Sequence, residues 1–161
     1  MLLSRLNSFT EGERSFVLAH LATAIIGAIL AFSAVMRMGQ GAFFAQPMSA
    51  YDIWIVLSGA LGGALGLYLN RHRMGQVGTF GAVQALSAVV LSNVTGAVIC
   101  GTLVLPLYGT MFGPFTLIMI LVSSPLVCAI WLVNQVAAHL LLARFHAERD
   151  SIFVGHTART A

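Results

Sequence analysis

Four uncharged apolar runs, residues 15–36, 53–70, 79–105 and 112–143, constrain this 161-residue chain more than any other feature. A helix needs about 20 apolar residues to cross a hydrocarbon core of about 30 Å. It must also satisfy its own backbone amides there, because lipid offers them no partner. None of the four runs contains Asp, Glu, Lys or Arg. The chain is therefore expected to be all-α, an integral membrane four-helix bundle, with residues 1–161 forming a single transmembrane domain and the lipid bilayer as its main partner. The composition agrees: 8% of residues are charged, against about 25% in soluble domains, and the mean hydropathy is +0.91.

The first run is too long for the apolar core of a signal peptide, and "MLLSRLNSFTEGER" is not a basic leader, so an uncleaved helix is expected. The second is short and glycine-rich. The fourth is long enough for one tilted helix but not for two spans, and Pro125 after Ser123 and Ser124 predicts a kink in it. Arg144, Glu148, Arg149 and Asp150 continue that helix as a solvated turn into a cytoplasmic tail, 144–161, whose last stretch "SIFVGHTARTA" reads as a loose tail or a docking strand.

Orientation follows the basic residues, all of which are Arg. Arg5, Arg14, Arg71, Arg73, Arg144 and Arg149 flank one side of the four runs and Arg37 the other, which predicts that both termini are cytoplasmic. Tyr51, Trp54 and Tyr108 fall near the opposite boundary, where amphipathic rings anchor. Arginine in place of lysine, with heavy Ala, Gly, Leu and Val usage, suggests a bacterial genome and hence an inner (plasma) membrane. The net charge of +3 is small and divided among flanks, so no nucleic-acid partner is expected.

Small residues mark where helices meet. Ser58, Gly62 and Gly66 recur every fourth residue with Gly59 and Gly63 beside them, and the third run offers Ser92 and Gly96. Such rows let backbones approach closely. Cys100 and Cys128 differ in predicted depth by roughly 13 Å, too far for a disulfide, and both read as packing residues. "RMGQ" occurs at 37–40 and 73–76, a repetition read as coincidence rather than as an inverted repeat.

The polar residues inside the runs are the candidate site. Ser124, Cys128, Gln135, His139 and His146 share one helical stripe, while Leu126, Val133 and Leu140 follow a face left for lipid. His20, Gln84 and His139 each lie about five residues, or about 7 Å, inside the cytoplasmic boundary. Together with Asn134 and Gln135 they form an expected buried polar layer. Interhelical hydrogen bonds of this kind lock a membrane protein. Two histidines on separate helices, here His20 and His139, can also ligate a b-type haem, although the second and third runs contain no histidine and no cofactor is predicted. A path lined by Asn93, Thr95, Asn134 and the Gln/His layer would instead suit a small transporter or channel subunit. "GALGGALGLYLNR" and "LSNVTGAVICG" share glycine-rich helices and an N-x-x-G pattern with the small bacterial fluoride channels. The aromatic-and-hydroxyl box is missing and the helix order is displaced by one, so membership of that family is not inferred.

Catalytic patterns are absent: no HExxH, GxSxG, P-loop or CxxC occurs, and Glu11, Glu13, Asp52, Glu148 and Asp150 all lie outside the apolar runs. No metal site is predicted. The expected role is that of a non-catalytic accessory, assembly or scaffold subunit bound to other membrane protein subunits.

Overall fold

The computed structural model describes residues 10–38, 47–76 and 79–157, and these are helical apart from short connections. Among the described residues five α-helices follow in order: α1 (Glu11–Met38), α2 (Ala50–Asn70), α3 (Thr79–Val104), α4 (Gly109–Ser123) and α5 (Pro125–Thr157), with a 3-10 turn at Arg71–Arg73. No strand occurs among the described residues. Four segments, Glu11–Met38, Ala50–Arg73, Phe80–Val104 and Pro125–Ser151, are long and apolar enough to cross a membrane. Residues 39–46, between the first two runs, lie outside the described residues, as do Arg5 and Arg159.

Two acids expected only as hydrated flanks start helices. Glu13 N–H donates to Thr10 Oγ1 at 3.3 Å while Thr10 N–H donates to the Glu13 carboxylate at 3.0 Å. Ser49 and Asp52 repeat that exchange at the head of α2, at 3.2 and 2.9 Å. Each pair satisfies amides that the first helical turn leaves without partners.

The fourth run is not one kinked helix. It is two helices, separated at Ser124, whose backbone is extended (φ −137°, ψ 100°). Proline disfavours helical geometry in the residue before it, so Pro125 opens α5 instead of bending a continuous rod. With 15 residues, α4 is about 22 Å long, short of a full crossing. The fourth long helix therefore starts at Pro125, not at residue 112. It also continues through 151–157, where a tail was expected, since neither proline nor glycine interrupts 126–154.

Backbone contacts fix the helix directions. A Cβ on Gly63 would meet Thr23 O at 2.6 Å, and Gly27 packs against the Gly59 backbone, so α1 and α2 run antiparallel. Gly62 and Gly66 lie on the backbones of Gly96 and Ser92, so α2 and α3 are antiparallel too. The two glycine rows of α2 thus serve different neighbours. Tyr51 Oη and Trp54 Nε1 donate to the Val104 and Leu103 carbonyls at 3.3 and 3.0 Å, tying the start of α2 to the end of α3.

One end of the assembly collects Arg14, Arg71, Arg73, Arg144 and Arg149, and the other has Arg37. Both ends of α4 lie near the arginine-poor end. Gly109 is pressed on Gly101 near the end of α3, and the Ser123 carbonyl accepts from Arg37 at 3.4 Å near the end of α1. From there α5 descends alongside α1 until the Glu148 carboxylate accepts the Gly12 N–H.

Ala19, Leu67, Met74, Ala88, Ala138 and Leu142 form a buried cluster toward the arginine-rich end. Leu126, Val133 and Leu140 on α5 are 71%, 70% and 57% exposed, and Phe80, Val83 and Leu86 on α3 are exposed to a similar degree. These outward faces are apolar, as lipid contact requires.

Candidate functional site

The five residues of the expected polar layer are not joined to one another. Among the described residues no hydrogen bond links any two of His20, Gln84, Asn134, Gln135 and His139. Residues at matching depth on different helices meet only if their faces also converge, and depth was all that the run boundaries supplied.

His139 reaches the connection between α2 and α3, where its Nδ1 accepts the Gly75 N–H at 3.1 Å. The backbone amide can only donate, so this imidazole carries its proton on Nε2. Gly75 has φ +81°, and a Cβ there would meet Ala143 N at 2.6 Å. Met74 beside it is wholly buried. The second RMGQ is thus a corner wedged against α5. Met38 of the first copy is 60% exposed, and residues 39–40 lie outside the described ones, so the two copies differ where both are seen.

His20 turns the other way. Its Nδ1 donates to the Phe16 carbonyl at 2.8 Å, its ring packs on Phe16 and Tyr68, and its buried Nε2 has no partner. Arg71 stacks on the Tyr68 ring at 3.9 Å. Gln84 is half-buried, and its side chain makes no hydrogen bond among the described residues. Asn134 is 7% exposed with Nδ2 unpaired, and the wholly buried Ser58 Oγ is likewise unpaired.

Gln135 belongs to a different cluster. Its Nε2 donates to Asn93 Oδ1 at 3.3 Å, Trp131 Nε1 donates to the same oxygen at 2.8 Å, and Asn93 Nδ2 donates to the Val89 carbonyl at 2.7 Å. Trp131 escaped the sequence reading, although it stands four residues before Gln135 and so on the same face. These three side chains line one end of a cavity of about 230 Å³. From that level, Asn93 to Val104, the cavity runs about 16 Å toward the arginine-poor end. Its walls are mostly small or apolar, including Gly27, Gly59, Gly63, Ala97, Gly113 and Ile120, and no charged residue among the described ones lines it. Ser92 and Gly96 of the packing seam also border it. Tyr51 and Cys100 are the ionisable side chains among its lining residues, and neither adjoins a carboxylate or imidazole in that lining, so the arrangement suits binding and packing more than proton transfer or metal ligation. Among the described residues no group of three metal-ligating side chains gathers.

Fold and site together define an all-helical protein of membrane-spanning dimensions with an uncharged internal cavity. Comparison with family models, with curated proteins and with solved structures returns no match to this chain.

Proposed function

We propose that this chain is a non-catalytic accessory, assembly or scaffold subunit of a larger bacterial inner-membrane complex. In this reading it forms a four-helix transmembrane bundle with the arginine-rich end and both termini in the cytoplasm. The arginine distribution supports the orientation. One observation carries the role: the interhelical polar contacts of the interior are made within this chain. His20 takes Phe16 within its own helix, but Asn93 on α3 takes Trp131 and Gln135 on α5, and His139 on α5 takes Gly75 at the α2–α3 corner. Such bonds hold helices in place. The His139 bond also argues against a haem between His20 and His139, since Nε2 of His139 holds a proton while Nδ1 accepts from Gly75.

The test is isolation in mild detergent of the tagged chain expressed at its native level. The expected result is a defined set of membrane polypeptides in near-stoichiometric amount, whose abundance falls when this chain is deleted. Solute flux through liposomes containing this chain alone would overturn the role and establish the second reading, a small transporter or channel subunit. That reading is favoured by one feature, the cavity that runs from the arginine-poor end to a polar floor.

A further inference from the structure

We propose that the cavity between α1, α2, α3, α4 and α5 binds one uncharged, single-chain alcohol, with its hydroxyl on the Asn93–Gln135 pair and its chain directed toward Met38 and Leu105. The inference is independent of any partner complex.

The amide pair leaves defined groups unspent. Asn93 Oδ1 accepts from both Trp131 and Gln135, and one Asn93 N–H serves Val89. One N–H remains on each amide, and no hydrogen bond among the described residues reaches Gln135 Oε1, although Gln135 is only 6% exposed and borders the cavity. A hydroxyl both donates and accepts, so it can meet Oε1 and a free N–H together; a carbonyl can meet only the latter. With no charged group in the lining, a phosphate or carboxylate head would be desolvated without compensation.

Size agrees with a narrow chain. An apolar cavity of about 150 Å³ accepts benzene, so about 230 Å³ has room for about nine heavy atoms by proportion. A ten-carbon alcohol would extend its last carbons through the mouth.

Trp131 at the polar end and Trp54, which does not line the cavity, are the two tryptophans of the chain. In Trp54→Phe protein, Trp131 alone reports. Titration with 2-bromodecan-1-ol in detergent is expected to quench Trp131 saturably, with displacement by 1-decanol and at least tenfold weaker displacement by decane or decyl phosphate. Gln135→Leu is expected to raise the quenching midpoint about tenfold. The competition series requires no change at the site, so it decides the matter even if Gln135→Leu does not fold. Quenching that rises without saturation, or equal displacement by decane, means simple partition into the micelle and overturns the proposal. Preference for decyl phosphate overturns it as well.

Discussion

The Gly75 N–H and the His139 imidazole are held 3.1 Å apart across 64 residues of sequence, which fastens the α2–α3 corner to the middle of α5. Neither residue does this alone. Gly75 supplies a left-handed backbone (φ +81°) that brings its amide against α5, and His139 supplies an acceptor where a leucine would leave that amide unmet.

Gly75→Ala is expected to destabilise the protein by about 2 kcal/mol or more, since an L-residue resists this φ and its Cβ would press on the Ala143 amide. His139→Leu should cost about 1–3 kcal/mol through the unpaired N–H. Equilibrium unfolding in mixed micelles measures both. The double variant should lose less than the sum, because the two changes break one contact. Strict additivity would show the bond to be energetically empty.

Gly63→Ala and Gly66→Ala place a methyl on the backbones of Thr23 and Ser92, which cannot step aside as a side chain could. Each should cost about 1–3 kcal/mol. Leu69→Ala on the same helix, at a position 55% exposed, should change stability by much less. Equal losses at all three positions would remove the close-packing account of α2.

Asn93→Ala removes the acceptor shared by Trp131 and Gln135. Interhelical hydrogen bonds in membrane proteins average about 0.6 kcal/mol, so this change should cost roughly twice as much as Trp131→Phe, after correction for lost packing. The same variant should shift the fluorescence of Trp131, because its indole N–H loses its partner. An unchanged spectrum in Trp54→Phe, Asn93→Ala protein would contradict the contact.

Topology has a separate readout. Both ends of α4 lie near the arginine-poor end, so single cysteines at Tyr108 and Ser123, in protein lacking Cys100 and Cys128, should react with an impermeant maleimide from one side of the membrane. Arg73→Cys should react from the other. Labelling of Tyr108→Cys and Ser123→Cys from opposite sides would make α4 a full crossing and refute the placement of both its ends at the arginine-poor end.

Much of the helical plan was legible before any coordinates. Uncharged runs predict where helices lie, and the spacing of Leu126, Val133 and Leu140 marks a face that is in fact exposed. The break at Ser124 was only half legible. Pro125 announces a disturbance, yet whether a helix bends or stops depends on whether its two halves have different neighbours, here α3 for α4 and α1 for α5. Gly75 carried a weak local signal, being one glycine in a repeated tetrapeptide, and nothing nearby in sequence says that Ala143 lies against it.

Sequence by itself determined the solvent, since a chain with so few charges and such long apolar runs cannot cover itself with water-facing groups. It also determined helix formation, because a backbone in lipid has to satisfy itself within each segment. Tertiary structure decided which polar groups meet. His20, Gln135 and His139 share a depth range but face Phe16, Asn93 and Gly75. For α1 to α4, rotation about the helix axis follows the closest approach of glycine backbones on neighbouring helices, and that geometry exists only once the helices are packed.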